Sequence, residues 1–298
     1  MKFFCTKNDK GKRIDRIMRA LFPYVPLSAI GKAIRNGKII LDGKKASFSN
    51  RVNYNSVIDC HAVFAHEARK ALQKSYKAPA TILFEDAHIA ALYKPWDLTI
   101  SGKFIQDIQS FFMHVPDLSF RPSPAHRLDR NTSGLLLISK TIDAARILAF
   151  CFKNRKIEKT YLAILDKIVS KPCIWNYRLI RKNRKTYPSP EGKDAITMVT
   201  PLAYGAKQTF ALLRITTGRT HQIRAHAAAY GHSLSGDIKY GGIKNSWGYF
   251  LHSYSIAFKR SCRISQQHLK APLCSQQLYR IQNIWNDPKK KLKLSTLI

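Results

Sequence analysis

The stretch His126-Arg127-Leu128-Asp129-Arg130-Asn131-Thr132-Ser133-Gly134 decides how the rest of this chain is interpreted. Pro122 and Pro124 precede it and disfavour both helix and sheet interior. Leu135-Leu136-Leu137-Ile138 follows it and is short enough to be a buried strand. The pattern therefore predicts a loop that feeds a core strand and holds one carboxylate, Asp129, between arginines. Taken locally, the same residues also fit a surface aspartate in a salt-bridged loop.

Composition points to a polyanionic partner. The chain has 51 Lys and Arg against 18 Asp and Glu, which gives a formal net charge of +33. Such a surface attracts polyanions, so nucleic acid is the expected partner. An anionic membrane surface is the competing interpretation, but no basic amphipathic helix with an apolar aromatic face supports it. Runs approaching the ~20 apolar residues of a membrane span are absent from the sequence.

The cysteines indicate the redox compartment. Six of them are scattered without a C-x-x-C spacing, so the sequence supports neither a zinc site nor a disulfide framework. The first residues lack the apolar core of a signal peptide. We therefore expect reduced thiols in a cytoplasmic protein that needs no metal.

The first sixty residues predict a small module behind a basic arm (1–11). Apolar residues at helical spacing begin after Arg13, and Ser28 is the expected N-cap of a second helix. A strand and a tight turn at Asp42-Gly43 follow. The helix, strand and turn contribute a cluster of cations that suits a phosphate backbone. Its members include Lys32, Arg35, Lys38 and Lys44.

Beyond a predicted linker (63–80), strands and helices alternate without a regular βαβ rhythm. This favours an α+β fold around a mixed, largely antiparallel sheet flanked by helices. Thr141 is the expected N-cap of one helix, and Lys159-Thr160-Tyr161-Leu162-Ala163-Ile164-Leu165 is an expected strand. Residues 171–200 read as irregular, basic surface. A basic tail (286–298) closes the chain.

Four blocks of residues 81–285 resemble the RluA-type pseudouridine synthases. The blocks are the opening stretch 126–134, Lys159-Thr160-Tyr161-Leu162-Ala163, Gly218-Arg219-Thr220-His221-Gln222-Ile223-Arg224-Ala225-His226 with Gly236-Asp237 and Tyr240-Gly241, and Leu251-His252. Residues 12–62 resemble the S4 RNA-binding domain through Ile34-Arg35-Asn36-Gly37-Lys38-Ile39 and Leu41-Asp42-Gly43-Lys44. The resemblance implies a pseudouridine synthase fold behind a small S4-like α/β module.

The resemblance also implies roles for individual residues. Asp129 matches the catalytic aspartate of the family, and Arg224 matches the arginine that pairs with it. Tyr161 matches the tyrosine that stacks on the target base and is proposed to assist proton removal from C5. Arg127 matches an arginine implicated in holding the target nucleotide out of the stack, and Leu251 matches an apolar position near the base.

The implied reaction converts uridine to pseudouridine in structured RNA, with large-subunit (23S) ribosomal RNA as the expected substrate. The glycosidic bond breaks, the uracil turns, and the bond re-forms through C5, for which a carboxylate nucleophile is suited. Neither redox chemistry nor net hydrolysis occurs, so the family chemistry implies no cofactor and no metal. The target must be unpaired or flipped. The sequence leaves open whether Asp129 attacks the sugar C1′ or the base C6. We expect a monomer.

Two positions depart from the family pattern. Asp97 stands where the Asn-Lys-Pro-x-Gly loop usually has its glycine, and Ser233 stands where proline is common. Three histidines are interpreted as structural hydrogen-bonding groups: His221, His226 and His252. Four tryptophans are interpreted as packing residues: Trp96, Trp175, Trp247 and Trp285.

Two other function classes fit part of the sequence. A non-enzymatic RNA-binding or ribosome-assembly protein would share the basic surface, but it has no need of Asp129, Tyr161 and Arg224 together. A glycosidase or nucleosidase would also use a carboxylate at a glycosidic bond. Most such hydrolases require a second carboxylate as acid or base, and none stands beside the motif.

Overall fold

The computed structural model describes residues 1–22, 25–61, 80–112 and 118–282. Apart from Ala80, the predicted linker lies outside these residues, as does the predicted tail. The described residues divide into two compact units. Unit 1 comprises those within Met1–Ala90, Ile100–His126 and Leu137–Leu148, and unit 2 comprises those within Ala91–Thr99, Arg127–Leu136 and Ala149–Ile298.

The secondary structure is mixed. The helices are α1 (Ile14–Leu21), α2 (Leu27–Arg35), α3 (Gly102–Phe111), α4 (Ile142–Lys153), α5 (Gln222–Ala229) and α6 (Ser275–Gln282). The strands are β1 (Lys2–Phe4), β2 (Ile39–Leu41), β3 (Lys44–Lys45), β4 (Val57–Cys60), β5 (Thr81–Glu85), β6 (Ile89–Lys94), β7 (Ser123–Pro124), β8 (Ser133–Ser139), β9 (Ile157–Asp166), β10 (Cys173–Trp175), β11 (Leu179–Lys182), β12 (Lys185–Pro188), β13 (Thr197–Tyr204), β14 (Gln208–Ile215), β15 (Leu251–Phe258) and β16 (His268–Lys270).

Unit 1 contains a four-stranded antiparallel sheet in the order β1-β4-β2-β3. Strand β1 lies within the segment predicted as a basic arm. The apolar face of α1 is buried, as its spacing predicts. Asp42 and Gly43 both have positive φ, which is the conformation of a tight hairpin turn. The assignment of residues 12–62 to an S4-like domain stays a prediction.

The expected N-cap of α2 was wrong. This helix begins at Leu27 behind Pro26, and its N-cap position makes no side-chain hydrogen bond. Proline has a fixed φ and no N–H to satisfy, so it can precede a first helical turn without a capping side chain. Ser28 therefore lies inside the helix. The N-cap predicted for α4 is confirmed, because Thr141 Oγ1 accepts a hydrogen bond from the amide of Ala144.

Unit 2 is organised around the larger sheet, in which β10-β13-β14-β9-β15-β8-β6 is the strand order. Strand β15 pairs antiparallel with β9 and parallel with β8. The pairs from β10 through β13 and β14 to β9 are all antiparallel. The sheet is therefore mixed and largely antiparallel, which confirms the predicted α+β class. No helix in the described ranges is long and apolar enough to cross a membrane.

Residues 171–200, predicted to be irregular, contain β10, the β11–β12 hairpin and the start of β13. The hairpin turns at Asn183 and Arg184, which both have positive φ. Its residues lack apolar alternation because the hairpin buries only a few side chains, among them Leu179 and Thr186. A pattern-based prediction therefore misses a hairpin of this kind.

Candidate active site

Asp129 lies in a turn directly before the fully buried strand β8. The amide of Thr132 donates to the Asp129 carbonyl at 3.0 Å, which closes the turn. The Asp129 side chain is 28% exposed. Its Oδ2 contacts Arg224, whereas Oδ1 has no hydrogen-bond partner among the residues that the structure describes. One carboxylate oxygen is thus held in place and the other is available to a substrate.

Lys94 binds the backbone of this turn from the protein interior. Its side chain is fully buried, and Nζ donates to the carbonyls of Pro95, Leu98 and Arg130 at 2.8–3.0 Å. Burial lowers the pKa of Lys94 to about 8, an effect that the charge of Asp129 opposes. Because one ammonium group binds carbonyls of two loops, it fixes their separation.

Arg224, in the first turns of α5, carries the most contacts in the site. Its Nε and Nη2 donate to the buried carboxylate of Asp237 at 2.7 and 2.9 Å. The guanidinium lies between the rings of Tyr240 and Tyr249, 4.8 and 4.7 Å from their centroids. Nη1 donates to Asp129 Oδ2 at 3.1 Å. Burial lowers the pKa of Arg224, but the hydrogen bonds and charge of Asp237 outweigh it and raise that pKa overall. Arg224 is therefore a rigid, charged donor aimed at Asp129.

His221 lies at the N-cap position of α5 with a positive φ of 53°. Its Nδ1 hydrogen-bonds the Tyr240 hydroxyl at 2.9 Å, and its Nε2 lies 3.7 Å from Asp129 Oδ2. Burial lowers the pKa of His221; the charge of Asp129 opposes this, and that of Arg224 reinforces it. The interpretation of His221 as a structural group accounts for its hydrogen bond to Tyr240 but not for its position beside Asp129.

Tyr161 and Leu251 lie on one face of the sheet. Tyr161 pairs with Ser253, and Leu251 pairs with Ala163, so all four side chains point to the same side. Tyr161 is buried. Burial raises the pKa of Tyr161, and the nearby charge of Asp129 adds to this effect. Asp129 therefore lies close enough to Tyr161 for its charge to act on the phenol.

The remaining predicted residues are exposed or half-buried. Arg127 is exposed, and within the described part of the chain it has no hydrogen-bond or ion-pair partner. Lys32, Arg35 and Lys44 are exposed, and Lys38 is half-buried, in unit 1.

Asp97 adopts the backbone conformation of the glycine that it replaces. Its φ is +64°, in the left-handed region that glycine enters readily and aspartate tolerates. Its carboxylate accepts a hydrogen bond from Arg130 Nε at 2.7 Å, at an exposed position. At the second departure from the pattern, the Ser233 hydroxyl donates to the carbonyl of Tyr240 at 2.8 Å.

Two histidines are structural, as predicted. His226 bonds Thr197 and the Tyr177 carbonyl, and His252 bonds Ser133 and the Ala271 carbonyl. Trp175 is buried and stacks on Tyr230, so the packing prediction holds there. The same prediction was wrong for Trp96 and Trp247, which are 48% and 54% exposed. Trp285 lies outside the described residues.

Sequence reasoning missed Asp237, Tyr240 and Tyr249 as parts of the site. Asp237 and Tyr240 stand in one of the matching blocks, but the sequence analysis assigned them no role in the site. The available signal was a carboxylate and an aromatic ring close together in a loop, the two groups that best partner a buried arginine. Tyr249 carried no such signal, because only the folded chain brings it against Arg224.

Comparison with known proteins agrees with this geometry. The family model described as RNA pseudouridylate synthase matches residues 88–229. An uncharacterized RNA pseudouridine synthase of Aquifex aeolicus (strain VF5) is 31% identical over 252 residues, covering 77% of each chain. Ribosomal large subunit pseudouridine synthase C of Pasteurella multocida (strain Pm70) is 29% identical over 294 residues, covering 90% of this chain and 89% of that protein.

A solved structure, human RNA pseudouridylate synthase domain containing 4, shares the fold. Its TM-score is 0.58 at 18% identity, over 72% of this chain and 94% of that one. The residues that the family model matches include the turn that holds Asp129, strand β9 with Tyr161, and helix α5 with Arg224. This chain therefore belongs to the RluA-type family of RNA pseudouridine synthases, isomerases that convert uridine to pseudouridine in RNA.

Proposed function

We propose that Asp129 is the nucleophile of the isomerisation. The observation that carries this proposal is the asymmetry of its carboxylate: Oδ2 is bound by Arg224 at 3.1 Å, while Oδ1 is unpartnered among the described residues. An oriented and accessible carboxylate can form a covalent intermediate at C1′ or C6 of the target uridine. The N1–C1′ bond then breaks and the uracil turns. C5 bonds to C1′, the covalent bond to Asp129 breaks and restores the carboxylate, C5 loses its proton, and N1 gains one.

The neighbouring side chains have separate tasks in this proposal. Arg224 holds Asp129 in its attacking orientation. Tyr161 stacks on the uracil and assists removal of the C5 proton, and Leu251 contributes the apolar wall beside it. Arg127, exposed and unpaired within the described residues, holds the target nucleotide out of the RNA stack. Flipping costs a few kcal/mol, which phosphate contacts to the basic surface offset.

We further propose that the substrate is large-subunit ribosomal RNA. Support comes from the relative named as ribosomal large subunit pseudouridine synthase C, which aligns over nine-tenths of this chain. The exposed cations of α2 and the following hairpin, Lys32, Arg35 and Lys44, supply contacts to the RNA backbone. Lys38, half-buried beside them, completes this basic patch.

Tritium release tests both proposals. An unmodified large-subunit RNA transcript labelled at uridine C5 should release tritium to water with the unaltered chain and not with Asp129→Asn, which keeps the shape but removes the nucleophilic charge. Asp143→Asn, at an exposed aspartate paired with Arg146, is the matched control and should react normally. Release by Asp129→Asn at the normal rate would overturn the nucleophile assignment. Equal release from a small-subunit transcript would overturn the substrate assignment.

A further inference from the structure

A cavity lies on the sheet face opposite to Tyr161. Ile164 lines it from β9, and because side chains alternate along a strand, Ile164 and Tyr161 point to opposite faces. Its volume of about 190 Å³ is below the roughly 300–1,000 Å³ of pockets for drug-sized ligands. A ligand that fills it is therefore smaller than a drug-sized molecule. The other lining residues are Gln208, Ser235, Asn245, Trp247, Tyr279 and Arg280.

Two aromatic rings stand exposed at this cavity. Trp247 is 54% exposed and Tyr279 is 58% exposed, although the burial of aromatic rings of this size is favourable. Exposed aromatic faces are the surfaces on which proteins stack unpaired bases, at about 1–3 kcal/mol per base. In an enzyme that acts on RNA, their position beside a small cavity suits a nucleobase.

The cavity lining includes one cation, Arg280, which has no counterion among the described residues. It is half-buried, Nη2 donates to the Gly248 carbonyl, and the guanidinium lies 5.7 Å from the ring of Phe250. No carboxylate pairs with it among the described residues. Burial accordingly lowers the pKa of Arg280 to about 10. Arg224, by contrast, has Asp237 and Asp129 as partners. Arg280 thus lacks the anion that a phosphate group would supply.

Two amides complete the polar lining. Gln208 donates through Nε2 to Ser235, which leaves its Oε1 without a partner in the described residues. Asn245 accepts from the Trp247 amide through Oδ1, which leaves its Nδ2 likewise unpaired. An acceptor and a donor of this kind match the hydrogen-bonding edge of a base.

We propose that this cavity binds one unpaired nucleotide of the RNA substrate, other than the target uridine. Its base stacks on Trp247 and Tyr279, Gln208 and Asn245 bind its edge, and Arg280 binds its phosphate. The inference rests on the RNA substrate of the proposed function and not on the role of Asp129. The segment 236–250 contributes to both places, since Asp237 and Tyr249 contact Arg224 while Asn245 and Trp247 line the cavity.

Fluorescence anisotropy of a labelled ten-nucleotide oligouridylate, added to the full chain at fixed salt, measures this binding. Trp247→Ala, Tyr279→Ala and Arg280→Gln should each raise the Kd by about 5- to 150-fold. Tyr279→Phe keeps the ring and should restore binding. The matched controls are Tyr204→Ala, at another exposed aromatic residue, and Arg214→Gln, at a surface arginine paired with Glu158. Both controls should bind as the unaltered chain does.

Unchanged binding by the three variants would overturn the inference, as would equal losses in the two controls. Competition adds a second readout: uridine 5′-monophosphate should displace the oligonucleotide at lower concentration than inorganic phosphate does. Equal displacement would mean that the cavity takes only an anion, and the nucleotide assignment would be wrong. The binding measurement is independent of isomerisation. Selective loss of binding without tritium release from the unaltered chain would contradict the proposed function alone.

Discussion

Arg224 shows how a single buried residue can be held in one orientation by several partners at once. Its guanidinium binds Asp237 through one edge, formed by Nε and Nη2, and contacts the rings of Tyr240 and Tyr249. The remaining nitrogen, Nη1, is directed at Asp129. Because Asp237 already fixes the plane of the guanidinium, Arg224 loses little freedom when Nη1 binds a further partner.

The first prediction concerns Asp237→Asn. The substitution keeps the shape but removes the charge that balances buried Arg224, and breaking such a pair costs about 3–5 kcal/mol. We expect unfolding free energy to fall by about 3 kcal/mol, and the tritium-release rate at saturating RNA to fall as Arg224 loses its orientation. Chemical denaturation and single-turnover release measure the two effects. A folded variant with normal release would show that Asp237 does not position Arg224. Asp143→Asn is the control for an exposed aspartate.

The second prediction concerns His252 and acid. This histidine is fully buried and accepts at Nδ1 from the amide of Gln277 at 3.2 Å, so its Nε2 carries the proton donated to the Ala271 carbonyl. Burial lowers the pKa of His252 to about 4. The unfolded chain, with an ordinary histidine pKa of about 6.5, then binds more protons than the folded chain between pH 6.5 and 4. The part of the folding free energy that depends on neutral His252 is therefore fully present above pH 6.5 and is lost as pH falls through this window.

A pH series of denaturation curves checks this prediction. The loss attributable to His252 should reach roughly 3 kcal/mol at pH 4. In His252→Gln that part of the decline should disappear, whereas His88→Gln, at an exposed histidine, should retain it. Identical pH slopes in all three chains would rule His252 out as the source.

At the scale of elements, the close approach of β8 and β15 positions the site. Their parallel pairing sets Gly134 beside Ser253, and a Cβ on Gly134 would overlap the Ser253 backbone. Gly134 also has a φ of +103°. Only glycine meets both demands, which explains why the polar stretch ends in this residue. The contact links the strand behind Asp129 to the strand that carries Leu251.

The third prediction follows from this contact. Gly134→Ala should destabilise the protein well beyond the ~1–2 kcal/mol of left-handed strain, because the strands must also separate. Gly231→Ala is the matched control: its φ is +77°, but the added Cβ would meet open space. We expect Gly231→Ala to cost the strain alone in chemical denaturation. Equal losses in the two variants would mean that the close approach is not a constraint.

At the scale of the whole molecule, the net charge of +33 favours association with polyanions such as RNA. Lysine and arginine that neutralise phosphates release counterions, so affinity falls steeply as salt concentration rises. The charge accelerates encounter with any polyanion. In the proposed function, the enclosed groups around Asp129 select the reaction.

The fourth prediction uses the exposed cations of unit 1. The triple variant Lys32→Gln, Arg35→Gln, Lys44→Gln should weaken RNA binding and reduce the slope of log K against log salt by about 2–3, since each lost phosphate contact removes roughly 0.7–0.9. Filter binding across a salt series measures this slope. An unchanged slope would mean that these residues do not meet the phosphate backbone.

Several features followed from the sequence because they depend on near neighbours. The periodicity of α1 predicted its buried face, and the apolar run after Asp129 predicted a core strand. The irregular mixture of strand and helix patterns predicted the α+β sheet. Family resemblance added the expected pairing of Arg224 with Asp129, two residues 95 positions apart, and the folded chain contains that pair. Residue type and spacing were sufficient for the helix face, the core strand and the fold class, whereas the pairing was implied only by the resemblance.

Other features arose only when distant segments met. The sequence by itself determined the buried helix faces, the core strand and the candidate residues of the site, since periodicity and motif are local properties. Tertiary structure alone decided that Asp237 and Tyr249 contact Arg224, that Lys94 joins two loops, and that Arg280 has no counterion among the described residues. The physical reason is that hydrogen bonds and ion pairs act over a few ångströms, so their partners are set by how strands and loops pack and not by order along the chain.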